Sequence, residues 1–218
     1  MTGFDEMQRL SEITERAHQD FEARSRARDE ALANARQLTR HAANTIRAIH
    51  RDESELAEEL LSQARALVET MKRNLEPFPS LYYAGYTQDA IKEFVEASIT
   101  CALIRQQALP APEELGVEVA TYYNGLAEVP GELRRRCMDI LRQGYSEQAE
   151  RLLYCMDEIY TVLVTLDYAD AITNGLRRQT DLVRGIVERT RADLTVSLRQ
   201  DLLKRSLDAV LERLSGEG

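Results

Sequence analysis

Apolar residues recur at helical spacing along nearly the whole chain, and no stretch shows the strict alternation that predicts a β-strand. From Ala31 onward, a seam repeats at spacings of seven, four, three and four, the pattern of one helix packed against another. Its members are Ala31, Leu38, Ala42, Thr45 and Ile49. A second stripe predicts the next helix and consists of Leu56, Leu60, Ala64, Leu67, Met71 and Leu75. The pattern therefore predicts an all-α fold.

Two further seams of the same kind lie in the second half of the chain. The first consists of Leu152, Met156, Ile159, Leu163 and Leu166. The second consists of Leu176, Val183, Thr190, Leu194 and Leu198, followed by Leu207, Val210 and Leu214. Both seams predict long helices that pack against others.

Prolines and capping residues set the expected ends of about seven helices. We expect these at about Asp5–His50, from near Glu53 to the residues before Pro77, and at about Thr87–Leu109, Gly116–Ala127, Pro130–Arg142, Ser146–Leu166 and Ala169–Leu214. Thr87 is the expected cap of the third helix. Pro130 either begins a helix or kinks an earlier one, and the pattern does not choose between them. No linker divides the chain, so we predict a single helical domain over residues 1–218, with residues 1–30 as its charged N-terminal part.

Composition and charge narrow the classes of function. Hydrophobic residues make up 44% of the 218 residues and charged residues 30%, an ordinary balance for a domain with a core. No apolar run approaches the ~20 residues that span a bilayer, and the N-terminus lacks the features of a secretory signal, so we expect a cytoplasmic protein with no membrane partner. The three cysteines (Cys101, Cys137 and Cys155) match no zinc spacing and are expected to be buried thiols.

Two acidic pairs are the strongest candidates for chemistry. Glu93 and Glu96 are three residues apart, and Glu128 and Glu132 are four apart, so each pair shares one face of a helix. Both segments are otherwise apolar, and a carboxylate on a packed surface is costly unless a cation neutralises it. Carboxylates from two helices are ligands that Mg²⁺ or Mn²⁺ prefers. The alternative is that Lys92, Arg105, Arg134 or Arg135 neutralises them in ion pairs.

The first helix carries a candidate nucleic-acid surface. Between Arg24 and Arg51 there are seven arginines and two acidic residues. Four of the arginines (Arg36, Arg40, Arg47 and Arg51) fall within an arc of about 60°, nearly opposite the apolar seam. The net charge of −9 argues against indiscriminate nucleic-acid binding, but a row of guanidinium groups can follow a single-stranded phosphate backbone. The alternative is a solvated face that pairs with acidic residues of another helix or subunit.

Three segments resemble the translin family, and within it the Trax-like branch and its archaeal relatives. They are Lys92-Glu-Phe-Val-Glu-Ala97, Tyr122-Tyr-Asn-Gly-Leu-Ala-Glu-Val-Pro-Gly-Glu-Leu-Arg-Arg135 and Leu176-Arg-Arg-Gln-Thr-Asp-Leu-Val-Arg184. The resemblance covers the chain from roughly Ala31 to the last helix. It implies a seven-helix, single-domain protein that assembles into hollow homo-octamers and binds single-stranded RNA and DNA.

The Trax-like resemblance also implies a metal-dependent endoribonuclease that acts on single-stranded RNA. Its acidic site corresponds to Glu93, Glu96, Glu128 and Glu132, which would be both the metal ligands and the catalytic residues, with Mg²⁺ or Mn²⁺ as cofactor. Independently of the resemblance, Arg134, Arg135 and Arg136 are near these glutamates in sequence and are candidates to hold phosphate. The chain departs from that branch at two positions, since Glu128 replaces the usual aspartate and Thr121 stands where the tyrosine-to-glycine segment usually begins with aspartate.

Two other functions remain open from the sequence. One is a translin-like oligomer that binds single-stranded nucleic acid without cleaving it. The other is a helical assembly or adaptor protein with no nucleic-acid role. An RNA cleavage assay with and without a chelator distinguishes the non-cleaving oligomer from a nuclease. A salt-dependent gel shift distinguishes the adaptor protein from the two that bind nucleic acid.

Overall fold

A computed structural model describes residues 2–216, with side chains described for residues 7–215. Six long helices and three single-turn helices account for nearly all of this part of the chain. They are α1 (Thr2–His50), α2 (Ser54–Leu75), α3 (Pro79–Tyr82), α4 (Gly85–Ile104), α5 (Pro112–Leu115), α6 (Val119–Leu141), α7 (Glu147–Thr165), α8 (Asp170–Thr173) and α9 (Leu176–Gly216). The all-α prediction is confirmed.

The seams predicted for the first two helices form one side of the core. All five residues of the α1 seam, from Ala31 to Ile49, are buried, and α1 packs against both α2 and α4. In α2 the prediction was wrong at one position, because Leu56 is exposed and Ala57 is buried in its place. A left-handed residue, Asp52 with φ 61°, reverses the chain between the two helices.

Helix α4 lies at the centre of the bundle. It packs between α1 on one side and α6 on the other, which explains why almost every residue from Ala90 to Ile104 is buried. Ile91, Phe94 and Ile99 are its largest fully buried side chains. Any charged side chain on α4 in this stretch is therefore held against the protein interior.

The structure shows that Pro130 lies within a helix and does not begin one. The two helices expected at about 116–127 and 130–142 are one continuous helix, and Pro130 lies inside it. Proline has no N–H to donate to the carbonyl four residues earlier, so one backbone hydrogen bond is missing in the middle of α6. Burial of Val129, Pro130 and Leu133 in the core offsets that loss.

Other expected helix ends also differ from the structure. The helix expected from about Ala169 is interrupted after Thr173 and resumes at Leu176, because Asn174 and Gly175 both have positive φ. The hydroxyl of Thr87 does not cap α4, since it donates to the carbonyl of Leu81 at 2.8 Å and the helix begins two residues earlier. Helix α4 ends at Ile104 rather than near Leu109, because Gln106 adopts a left-handed backbone conformation (φ 59°).

Helices α7 and α9 complete the bundle by packing on α6. Ser146 caps α7 by accepting a hydrogen bond from the backbone N–H of Gln148 at 3.2 Å. The α9 seam is buried only as far as Leu194. Leu207, Val210 and Leu214, which continue it, are exposed, so the last turns of α9 carry an apolar stripe beyond the bundle. In the part of the chain described, no helix is both long and apolar enough to cross a membrane.

Candidate functional site

Three of the four predicted carboxylates converge between α4 and α6. Glu93, Glu96 and Glu128 each place one carboxylate oxygen so that the three atoms lie within 4.8 Å of one another. Glu96 is 9% exposed, and Glu93 and Glu128 are half-buried. We call these three residues the acidic cluster. Such a set of hard oxygen atoms on two rigid helices suits a divalent cation.

A close helix crossing brings the two acidic pairs together. Gly125 of α6 faces Val95 and Lys92 of α4, and a Cβ atom at this glycine would lie 2.8 Å from the Val95 Cβ and 2.9 Å from the Lys92 carbonyl oxygen. Only glycine permits this approach. The next turn of α6 therefore carries Glu128 within reach of Glu93 and Glu96, which are one helical turn apart on α4.

The carboxylates perturb one another strongly. Burial raises the pKa of Glu96 to about 8, and the nearby charges of Glu128, Glu93 and Glu132 add to the effect. Burial and the charge of Glu128 also raise the pKa of Glu93. Among the described side chains, neither Glu93 nor Glu96 has an ion-pair partner. Without a cation, Glu96 is therefore largely protonated at neutral pH.

Lys92 neutralises one member of the acidic cluster. Its ammonium nitrogen lies 2.6 Å from an Oε of Glu128. Burial alone would lower the pKa of Lys92, but the hydrogen bond to Glu128 and its charge outweigh burial and raise that pKa. One of the ion pairs considered as an alternative to metal binding is thus present, but it engages only one of the three carboxylates.

Glu132 lies beside the acidic cluster rather than in it. Its Oε2 is 2.6 Å from Nε2 of His50, whose side chain is 4% exposed, and 3.6 Å from a guanidinium nitrogen of Arg135. The hydrogen bond from His50 lowers the pKa of Glu132 even though burial opposes it. Glu132 is therefore ionised at neutral pH, whereas Glu96 is not. No spacing pattern indicated this pair, because His50 is 82 residues away on α1.

The arginines after Glu132 point in different directions. Arg134 pairs with Asp193 at 2.8 Å and donates to the Thr190 hydroxyl at 3.1 Å, so it ties α6 to α9. This placement favours a structural role over the predicted phosphate contact. Arg135 is 54% exposed and is the one that remains available beside Glu132.

The predicted basic row on α1 is exposed. Arg36, Arg40, Arg47 and Arg51 all lie on the surface, and none forms an ion pair within the described part of the chain. Arg47 donates to the side-chain oxygen of Asn44 at 2.6 Å. Arg51, at the end of the row, is next in sequence to His50, which contacts Glu132. The row itself lies nearly opposite the buried seam of α1, so its guanidinium groups face solvent.

The structure thus defines an all-helical protein with a partly buried carboxylate cluster between two packed helices. No family model matches the sequence. The chain is 32% identical over 193 residues to an uncharacterised protein, MJ0175, of Methanocaldococcus jannaschii, and the match covers 87% of this chain and 85% of that protein. It is also similar to the crystal structure of AfC3PO from Archaeoglobus, with 32% identity, a TM-score of 0.79 and coverage of 89% of this chain and 99% of that one.

A structure of AfC3PO in complex with duplex RNA matches with the same TM-score and identity. The apo structure of NeC3PO from Nematostella, at 19% identity and a TM-score of 0.76, shares the fold over 90% of this chain and 98% of its own. These matches show that the chain belongs to the translin family, which includes the C3PO proteins.

Proposed function

We propose that this chain is a Trax-like member of the translin family that binds single-stranded RNA and cleaves it with Mg²⁺ or Mn²⁺ as cofactor. The observation that carries the proposal is the acidic cluster of Glu93, Glu96 and Glu128, three carboxylates that converge within 4.8 Å. The related AfC3PO has been solved with duplex RNA, which supports RNA as the ligand.

The residues of the acidic cluster fit a divalent cation. Three carboxylates at this separation repel one another, which helps to raise the pKa of Glu96 to about 8, and a cation removes that repulsion. Glu93, Glu96 and Glu128 would hold it. Such a cation would polarise a phosphodiester oxygen and lower the pKa of a bound water toward neutrality.

The other residues of the site have separate roles. Glu132 is ionised and lies close enough to raise the pKa of Glu96 by its charge. It accepts the proton of a water whose oxygen bonds to phosphorus as the P–O bond to the leaving ribose oxygen breaks, and that oxygen takes up a proton from solvent. His50 holds the Glu132 carboxylate in place through its 2.6 Å hydrogen bond. Arg135 binds a phosphate oxygen next to the scissile bond, and the basic row of α1 binds the phosphates farther along the strand.

The direct test is cleavage of a labelled single-stranded RNA with added Mn²⁺, with and without EDTA. The wild-type protein is expected to cleave only in the presence of the cation, and Glu96→Gln is expected to abolish cleavage while RNA binding is retained. The matched control is Glu69→Gln, which changes an exposed glutamate on α2 and should cleave at the wild-type rate. Cleavage by Glu96→Gln at the wild-type rate would show that the assigned site is wrong.

One observation favours a second candidate, an oligomer that binds nucleic acid without cleaving it. Lys92 already neutralises Glu128 at 2.6 Å, which reduces the negative charge left for a cation. Under this alternative the wild-type protein binds RNA but does not cleave it at any Mn²⁺ concentration. Lys92→Met would then still not produce cleavage, whereas in a nuclease the cation affinity would rise.

A further inference from the structure

A cavity of about 730 Å³ lies where α6 ends and α7 begins, next to the turn between α1 and α2. Its walls include His50, Arg136, Asp139, Arg142, Gln143 and Tyr145. The volume falls in the range of about 300–1,000 Å³ that is typical of small-ligand sites. The walls combine hydrogen-bond donors, acceptors and one aromatic ring, so they suit a planar polar group better than an apolar one.

Helix α6 joins this cavity to the acidic cluster. At about 100° per residue, Glu128, Glu132 and Asp139 fall within an arc of about 40° on one face of the helix. With a rise of about 1.5 Å per residue, Asp139 lies roughly 17 Å beyond Glu128 along the axis. A strand that crosses the cluster and continues along this face therefore reaches the cavity.

Two of the residues that line the cavity each have a buried polar atom without a hydrogen-bond partner among the described residues. His50 uses Nε2 to contact Glu132, but its Nδ1 is buried and has none. Arg136 uses its terminal nitrogens on Asp52 and on the His50 carbonyl, but its Nε is also buried and has none. Unpaired buried polar atoms cost free energy, and a polar ligand that contacted them after a small movement of the His50 and Arg136 side chains would offset that cost.

We propose that the cavity is a nucleotide-binding subsite, which holds one base of the RNA strand whose backbone lies across the acidic cluster. This inference rests on the proposed function, since it takes RNA to be the ligand. Tyr145 stacks against the base, because every base presents a flat π face and such stacking tolerates any sequence. Arg142 and Gln143 donate hydrogen bonds to the edge of the base or to its ribose.

The test uses the Glu96→Gln protein, which is expected to hold RNA without cutting it, and measures its affinity for oligouridylates of 3 to 12 nucleotides. The affinity is expected to rise at the length that reaches the cavity. Tyr145→Ala should remove this rise, with a loss of about tenfold for the longer oligomers only, the size expected for one stacked base. Tyr145→Phe keeps the ring and should keep the rise.

Tyr83→Ala is the matched control, because Tyr83 is an exposed tyrosine outside the cavity and should leave the affinity unchanged at every length. An equal loss at all lengths, or none, would overturn the subsite. The subsite would also be overturned if Tyr145→Ala changed the mass of the protein assembly but not the dependence of affinity on RNA length. That result would show that a second copy of the chain covers the cavity.

Cleavage by the protein without the Glu96 substitution is read separately, so that the two proposals fail in different ways. If the affinity depends on RNA length as expected but Mn²⁺ does not stimulate cleavage, the nuclease proposal is wrong and the subsite proposal is supported. Cleavage without any effect of Tyr145→Ala overturns the subsite alone. If the Glu96→Gln protein and the wild type bind no RNA, both proposals are wrong.

Discussion

Glu96 is 9% exposed and lies among three other carboxylates, and its burial and their charges raise its pKa to about 8. The pKa of the neighbouring Glu132 is instead lowered. The difference arises from the partners. Glu132 accepts a hydrogen bond from His50, whereas Glu96 has mainly other acids around it. A cation must therefore displace a proton from Glu96 in order to bind near neutral pH.

The affinity for Mn²⁺ should consequently depend on pH. Because one proton leaves Glu96, the apparent affinity is expected to fall about tenfold for each pH unit below 8 and to level off above it. Isothermal titration calorimetry at pH 6.5, 7.5 and 8.5 measures this. Glu96→Gln should bind weakly with little pH dependence. Equal wild-type affinity at pH 6.5 and 7.5 would contradict the assignment.

The raised pKa of Glu96 also predicts how the stability of the protein depends on pH in the absence of metal. A carboxyl whose pKa is higher in the folded than in the unfolded chain contributes stability below its ordinary value of 4.5, and this stability is lost as the pH rises through about 8. The raised pKa of Glu93 acts in the same direction. The melting temperature should therefore fall over this interval by more in the wild type than in Glu96→Gln.

The basic row on α1 makes a separate prediction about RNA. Replacing Arg36, Arg40 and Arg47 with alanine should weaken binding and reduce the slope of log K against log salt by roughly 2, because each single-strand phosphate that an arginine neutralises contributes about 0.7 to that slope. Filter binding at several salt concentrations measures the slope. The control removes three exposed arginines of α9, namely Arg177, Arg178 and Arg189, and should leave the slope near its wild-type value.

At the residue scale, spacing predicted local relations but not distant ones. Residues three apart on one helix share a face, so Glu93 and Glu96 could be paired from the sequence, and helical periodicity placed Arg36 and Arg40 opposite the seam. The contacts of Glu132 with His50 and of Glu128 with Lys92 join residues 82 and 36 positions apart. Such contacts depend on how α1, α4 and α6 pack, and no local sequence pattern indicates that packing.

At the scale of the helices, the crossing of α4 and α6 sets the geometry of the acidic cluster. The crossing is tight because Gly125 lies against Val95 and the Lys92 carbonyl. The seams predicted which faces of the helices are buried, since a face needs only its own periodicity. The number of helices was harder to predict, because burial of Pro130 in the core outweighs its missing hydrogen bond, and that burial is a tertiary effect.

Gly125→Ala should therefore disturb the geometry of the acidic cluster, although Gly125 is not one of its residues. The new methyl group would meet Val95 Cβ at 2.8 Å and backbone at 2.9 Å, so α4 and α6 must separate. We expect a loss of about 1–3 kcal/mol in the free energy of unfolding, the usual cost of overpacking, together with weaker Mn²⁺ binding. Chemical denaturation and calorimetry measure the two effects.

Gly131→Ala is the matched control on the same helix. No described atom lies within 4 Å of a Cβ at this position, so the substitution should stabilise α6 by about 0.5–1 kcal/mol and leave Mn²⁺ binding intact. If both alanine variants changed Mn²⁺ affinity to the same extent, the close approach at Gly125 would not be what positions Glu128.

At the scale of the whole molecule, the two longest helices extend beyond the residues that pack on them. No described residue of α1 before Ala31 is buried, and none of α9 after Leu194 is buried. Leu203, Leu207, Val210 and Leu214 lie within an arc of about 60° on the exposed part of α9. An exposed stripe of this kind is typical of a helix that packs against another subunit, which supports the homo-oligomer that the resemblance to the translin family implies.

The double substitution Leu207→Glu and Val210→Glu should break this assembly, because two charges cannot be buried in an apolar contact without partners. Light scattering is expected to give a homo-oligomer for the wild type, an octamer if the expectation from the family resemblance holds, and a smaller species approaching the 24.8 kDa monomer for the variant. Ala209→Glu adds a charge about 130° away from the centre of the stripe and should leave the mass unchanged. Because the acidic cluster lies within one chain, the dissociated variant should still bind Mn²⁺. It should bind long RNA more weakly, because fewer basic rows contact the same strand at once. A variant that kept the full mass would show that subunits meet through another surface.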